Sequence, residues 1–226
     1  MTTTLVTGAN KGLGLETTRR LIAAGHTVHA GMRDLATGDA VRELGAIPVQ
    51  LDVTDQDSVD KAIASLPELD VLVNNAGVTG PSWTLDDLDV EAMRVAFETN
   101  VFGVVRVTQA ALPLLRRSAN PVIVNVASSL GFPRAMLDPD DDSFGALLVP
   151  YPSSKAAVIA LTVQYAKSLP GMRINASDPG YTATDLNQHH GHQTVTEGTD
   201  ATVALARIGR DGPTGEFHNR QGRIDY

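Results

Sequence analysis

Tyr151 and Lys155 stand four residues apart in the segment Tyr-Pro-Ser-Ser-Lys, a spacing that puts both side chains on one face of a helix. An unperturbed tyrosine, with a pKa of about 10, exchanges protons poorly at neutral pH. An ammonium a few ångströms away favours the tyrosinate and lowers that value. A drop of about three units corresponds to about 4 kcal/mol of differential interaction. It would let the phenol trade a proton with an alcohol or a carbonyl near neutrality. Taken alone, the same spacing is what an ordinary surface pair shows.

A second segment carries a different chemistry. Thr7-Gly-Ala-Asn-Lys-Gly-Leu-Gly14 follows an apolar run and opens a helical pattern. Gly8, Gly12 and Gly14 allow a tight turn and close approach to an anion. The helix start behind them offers free N–H groups and the positive end of its dipole. That is a pyrophosphate cradle, with a purely structural turn as the alternative. The next apolar run ends in His-Ala-Gly-Met-Arg-Asp (29–34), about 20 residues on, where a dinucleotide fold places the adenosine ribose. An acid there would bind free ribose hydroxyls, whereas a cation would suit a 2′-phosphate. Met32 takes the last strand position, Arg33 follows, and Lys11 adds a positive charge in the glycine loop. These favour NADP(H) over NAD(H). Asp34 is the opposing residue and is expected to turn outward.

The elements that must position these groups follow from apolar periodicity. Runs at 3–7, 26–32, 46–53, 69–77, 121–129 and 172–180 read as strands. Helical patterns lie between and after them: one ending at Gly25, then near 36–44, 55–65, 88–117, 151–168 and 194–208. Apolar runs alternating with helices predict a single doubly wound α/β sheet of the Rossmann type, with about seven strands and helices on both faces. The 226 residues are read as one domain, large enough to bury a core without disulfides. There is no cysteine, which excludes a thiol nucleophile and a Cys-ligated metal and fits a reducing compartment. The formal charge of -8 argues against nucleic acid or an anionic membrane as partner. No apolar run approaches the roughly 20 residues of a membrane span, and the N-terminus lacks the pattern of a cleaved signal. A cytoplasmic location is expected.

Other polar residues invite weaker readings. Asn100 falls inside the helical pattern 88–117, where asparagine is a mediocre helix former and needs a partner. Asp138, Asp140, Asp141 and Asp142 read as a solvated acidic turn rather than a cation site, because no calcium-loop spacing is present. His189, His190 and His192 read as a polar loop near a substrate entrance rather than a zinc site. No metal site is expected. Phe132, Met136, Leu137, Phe144, Leu147 and Leu148 could line a substrate pocket or pack on themselves. Trp83 stands near the same mouth or has a structural role.

In combination these segments resemble the short-chain dehydrogenase/reductase family over essentially the whole chain, from Thr3 through the terminal Gly-Pro-Thr-Gly-Glu-Phe (212–217). The glycine loop resembles that family's Thr-Gly-x-x-x-Gly-x-Gly. Asp52 and Val53 match its adenine-contacting pair, and Asn74 to Gly77 its Asn-Asn-Ala-Gly. Pro179, Gly180 and Thr184 match the segment that closes over nicotinamide. The resemblance implies a tetrad of Asn100, Ser128, Tyr151 and Lys155, the spacing to Gly131 selecting Ser128 over Ser129. Tyr151 would be the general acid/base, and Ser128 would bond the substrate oxygen. Lys155 would lower the tyrosine pKa and hold the ribose, and Asn100 would hold a relay water. It further implies cofactor contacts at Gly8, Asn10, Lys11, Gly12, Leu13, Gly14, Arg33, Asp52, Val53, Asn75, Ala76, Gly77, Tyr151, Lys155, Pro179, Gly180, Thr182 and Thr184. The 22 residues 129–150 form a longer gap between serine and tyrosine than is common in the family, a trait of its carbonyl-reductase branch. The implied activity is NADPH-dependent reduction of a ketone or aldehyde by a monomer or weak homodimer. An NAD-dependent alcohol dehydrogenase and a non-catalytic dinucleotide sensor are the alternatives.

Overall fold

Residues 1–82, 84–145 and 148–225 are described in the computed structural model, so Trp83 and Leu147 lie outside the described residues. In chain order the elements are β1 (Thr3–Thr7), α1 (Gly12–Ala23), β2 (Thr27–Met32), α2 (Asp39–Glu43), β3 (Ile47–Gln50) and α3 (Gln56–Ala64). They continue with β4 (Val71–Asn74), α4 (Val90–Phe97), α5 (Gly103–Leu115), β5 (Val122–Val126), α6 (Pro133–Met136) and α7 (Pro150–Ser168). The chain closes with β6 (Arg173–Ser177), α8 (Val195–Gly198), α9 (Asp200–Ala206), β7 (Phe217–Asn219) and β8 (Gly222–Ile224).

The strands form one sheet in the order β3-β2-β1-β4-β5-β6-β7-β8, every pairing parallel except β7 with β8. Both faces are covered, because successive residues of a strand point to opposite sides. Leu5, Leu72, Ile123 and Ile174 pack with residues of α3 and α5, while Val6, Val73 and Val124 pack with residues of α1 and α9. The chain winds outward in both directions from β1 and β4. Ligand crevices form where the strand order reverses, beyond the carboxyl ends of the strands. Thr7, at the end of β1, holds that point closed: its hydroxyl accepts the N–H groups of Asn75 and Ala76 at 3.0 and 2.9 Å.

Three features differ from the sequence reading. The sheet has eight strands rather than about seven. The added β8 is a three-residue antiparallel edge, turned by the Asn219 side chain accepting from Gln221 and Gly222. Elements so short carry no readable period. The pattern 88–117 is α4 and α5 joined by a π-helical turn over Glu98–Phe102, with Asn100 at its centre. Such insertions look helical in sequence and gather at functional sites. The pattern 194–208 breaks at Thr199, between α8 and α9. No helix among the described residues is long and apolar enough to cross a membrane.

Candidate active site

The glycine loop is built as the spacing requires. Gly8 and Gly12 have φ of +64° and +54°, in the left-handed region that favours glycine. A Cβ on Gly14 would lie 2.2 Å from the Gly8 carbonyl oxygen, so a side chain would destroy the turn. Asn75 braces the loop through its side-chain amide, which donates to the Thr7 and Gly8 carbonyls at 2.8 and 3.1 Å. Leu13 packs close against Gly198, and Thr184 against Gly12. Asn10 donates to the Thr37 hydroxyl at 3.1 Å.

Beyond β2, Arg33 is exposed and makes no hydrogen bond or ion pair among the described residues. Asp34 caps its own turn, accepting the Ala36 N–H at 2.8 Å. Lys11 is not free: it reaches across to Asp185 at 2.8 Å. Asp52 binds the Thr54 N–H and hydroxyl through one carboxylate oxygen, and Val53 is buried against Gly103. These residues fit a dinucleotide: a turn that excludes side chains, an exposed cation after β2, and after β3 an acid with one carboxylate oxygen unbonded among the described residues.

The polar cluster lies past the ends of β5 and β6. Ser128 leaves β5 in extended conformation, and its oxygen accepts the Leu130 N–H at 3.2 Å. Ser128, not Ser129, is the serine that bears on the Tyr151 phenol, opposing the rise of its pKa. Ser129 instead accepts from Ser143 at 3.0 Å. Lys155 is 4% exposed, and its ammonium donates to the Val126 carbonyl at 2.7 Å while lying 5.5 Å from the Tyr151 ring centroid. Burial pulls the Lys155 pKa down to about 8, against the opposing charge of Asp178.

The tyrosine does not follow the expectation that lysine would lower its pKa. Burial and the Asp178 charge push it well above the ordinary value, and only the Ser128 hydrogen bond opposes them. The physical reason is geometric: the ammonium is directed to a backbone carbonyl and stands off the ring. Tyr151 is therefore a protonated phenol at neutral pH.

Asn100 is 1% exposed, and its side chain is committed. It accepts the Val78 N–H and donates to the Val78 carbonyl, both at 2.8 Å, and donates to the Ser154 hydroxyl at 2.9 Å. Gly77 borders both groups: a Cβ there would lie 3.4 Å from the Asn100 oxygen and 3.6 Å from the Lys155 nitrogen.

Pro179 and Gly180 turn the chain after β6, with Gly180 at φ +66°. Thr182 donates to the Pro179 carbonyl at 2.9 Å, and Thr184 caps the turn Asp185–Asn187. His189 meets Asp185 at 2.9 Å and His192 meets Asp142 at 3.6 Å, so these histidines pair with acids rather than with one another. A cavity of about 560 Å³ opens here, lined by Phe132, Asp178, Tyr181 and the acidic turn 138–142. Phe132 packs edge-on against Phe217, while Leu137 and Phe144 are exposed.

Two residues escaped the sequence reading. Asp178, 6% exposed, accepts from Gly180 N at 3.0 Å, and burial raises its carboxyl above the ordinary value. Its signal was available: an acid at the carboxyl end of a parallel strand, where ligands gather. Gln193 lies over Gly180, its Oε1 buried and without a partner among the described residues. Its position follows from pairing of its backbone with Tyr181 and Ala183, which no local pattern announces.

The short chain dehydrogenase family matches residues 2–194. The (+)-neomenthol dehydrogenase of Capsicum annuum is 30% identical over 96% of this chain and 95% of the relative. Salutaridine reductase of Papaver bracteatum is 30% identical over 95% and 93%. The fold is similar to that of the NADPH-bound carbonyl reductase from chicken fatty liver, with a TM-score of 0.87, 27% identity and coverage of 99% and 98%. The chain belongs to the short-chain dehydrogenase/reductase family, with a carbonyl-reductase-like Rossmann fold, and is an oxidoreductase of alcohols and carbonyls.

Proposed function

We propose that this chain is an NADP(H)-dependent carbonyl reductase, reducing a ketone or aldehyde and reversibly oxidising the alcohol. The observation that carries the reading is the half-buried Tyr151, its phenol held in the protonated form, with the Lys155 ammonium 5.5 Å from its ring centroid and Ser128 bearing on its hydroxyl. Residues 1–226 act as one dinucleotide-binding unit in this reading. The glycine loop from Gly8 to Gly14, with Asn10, Lys11 and Leu13, holds the pyrophosphate. Arg33 takes the 2′-phosphate, Asp52 and Val53 the adenine. Asn75, Ala76, Gly77, Pro179, Gly180, Thr182 and Thr184 border the ribose and nicotinamide. Bound there, the reduced nicotinamide supplies a hydride.

The remaining chemistry belongs to the side chains. A carbonyl oxygen seated against Ser128 and Tyr151 gains negative charge as the carbon is reduced. Ser128 stabilises that oxygen with a hydrogen bond, and Tyr151 gives it a proton. Lys155 keeps a positive charge next to the tyrosine and binds the ribose hydroxyls. Asn100 fixes the Gly77–Val78 segment against helix α7. In the reverse direction the tyrosinate form of Tyr151, the species left by proton donation, takes the alcohol proton. Relatives named as reductases and an NADPH-bound neighbour support this direction and this cofactor. A cysteine-free chain of this chemistry suits the cytoplasm, and the acidic turn beside helix α7 suits a monomer or weak dimer.

The test is oxidation of NADPH and NADH, followed by absorbance against a panel of aromatic and aliphatic aldehydes, ketones and quinones. Turnover with NADPH preferred is expected. Binding of dinucleotide without turnover of any panel member would overturn the reading in favour of a sensor.

A further inference from the structure

Four buried polar side chains that the proposed proton transfer does not use form one chain of hydrogen bonds across the middle of the molecule. Asn74 on β4 and Asn125 on β5 stand opposite each other in the sheet register, and the Asn74 amide donates to the Asn125 oxygen at 2.8 Å. The same amide donates to the Thr108 hydroxyl of α5 at 3.1 Å. The Asn125 amide donates in turn to the Thr162 hydroxyl of α7 at 2.9 Å, and that hydroxyl donates to the Val158 carbonyl at 2.8 Å. All four side chains belong to residues 3% exposed or less.

Burying amides and hydroxyls costs free energy unless each finds a partner. Apolar residues fill the preceding positions of the same sheet face, at Leu72 and Ile123. What the polar chain adds is direction. Val158 and Ile159 of α7 lie in an apolar cluster with Ala127, Ala176 and Phe217, and apolar burial is non-directional. It holds a helix onto a sheet without fixing its position along its own axis. A hydrogen bond constrains both a distance and an angle.

The chain of bonds touches both halves of the site. Thr162 lies seven residues, about two helical turns, beyond Lys155. Lys155 donates at 2.7 Å to the carbonyl of Val126, the residue after Asn125. Ser128 follows on the same segment. At the other end Asn74 precedes Asn75, whose amide braces the glycine loop at the Thr7 and Gly8 carbonyls. We infer that Asn125 is a positioning residue for carbonyl reduction. It is the peg that sets the axial position of α7, and so of Tyr151, against Ser128 and the dinucleotide cradle. The inference rests on the proposed function, because what it aligns is the proton donor with the hydride donor.

The test compares three variants of the full chain. Asn125→Leu removes the peg but leaves Asn74 bonded to Thr108 and Thr162 bonded to Val158, so neither neighbour is stranded. Thr162→Val removes the hydroxyl at nearly constant volume, and Thr162→Ser keeps it. Steady-state carbonyl reduction is measured well below each melting temperature, and NADPH affinity by fluorescence titration. A misplacement of about 1 Å costs up to about 10²-fold in rate. On that scale kcat should fall at least about tenfold in Asn125→Leu and in Thr162→Val, with Kd for NADPH changed by less than about twofold. Thr162→Ser should retain most of the wild-type kcat. A folded Asn125→Leu variant with wild-type kcat overturns the inference, whatever its melting temperature. Equal losses in Thr162→Val and Thr162→Ser also overturn it, because packing and not the bond would then matter. If Asn125→Leu does not fold, the two Thr162 variants decide. Absence of carbonyl turnover in the wild type sinks the functional reading and the inference with it, whereas wild-type turnover with an unimpaired Asn125→Leu sinks the inference alone.

Discussion

Asn100 and Ser154, 54 residues apart in the chain, share a buried 2.9 Å hydrogen bond that joins the π-helical turn to the first turn of α7. Ser154 in turn donates to the Tyr151 carbonyl at 2.7 Å. The residue that breaks the long helix is therefore connected, through one hydroxyl, to the backbone of the proposed acid. The same asparagine holds Val78 by both backbone groups. It fixes the loop after β4 and the start of α7 in one rigid joint.

Asn100→Ala should leave the Val78 N–H and carbonyl without their partner. Each buried group left unpaired costs about 1–3 kcal/mol. Urea unfolding should show a loss of about 2 kcal/mol or more, and kcat should fall while NADPH affinity changes little. A variant as stable and as active as the wild type would show that the joint does not matter.

Tyr151→Phe should keep the fold and NADPH binding, because the ring remains. It should lose about 10²–10³ in kcat, the scale of general acid catalysis. Steady-state reduction of the best panel substrate measures it. Near-full activity would remove Tyr151 from the role of proton donor.

Arg33→Ala addresses cofactor choice. Arg33 is exposed and unpaired among the described residues, while Asp34 is engaged by Ala36. A charge-assisted hydrogen bond to a phosphate contributes about 1.5–3 kcal/mol, or at least about tenfold in affinity. KM for NADPH should rise by that factor while KM for NADH barely moves. If NADPH is unaffected, the 2′-phosphate is not read here; Lys11, already bridged to Asp185, then becomes the residue to substitute.

His29 sets a pH dependence of stability. It is 6% exposed within β2, its Nδ1 has no partner among the described residues, and burial holds its pKa below 6.5. The unfolded chain binds that proton more readily, so stability should fall as pH drops below about 6.5. His26, also lowered by burial, adds in the same direction. Urea titrations at pH 7.5 and 5.5 check the slope, and His29→Val should flatten it. A wild-type stability constant across that window would contradict the assignment.

What the sequence determined is local. Glycines at 8, 12 and 14 announce a turn because only glycine tolerates the φ and the close carbonyl found there. The strands announce themselves because burial on both faces demands unbroken apolar runs. Four-residue spacing places Tyr151 and Lys155 on one helix face. Tertiary structure decided what depends on distance in space. It directed the Lys155 ammonium to Val126, so burial raised the tyrosine pKa where spacing alone suggested lowering. It set Lys11 against Asp185, left Arg33 free of partners among the described residues, and let the charge of Asp178 act on two residues of a helix more than 20 positions earlier. Charge acts through space and through the solvent it displaces, and neither quantity is written in the order of residues along a chain.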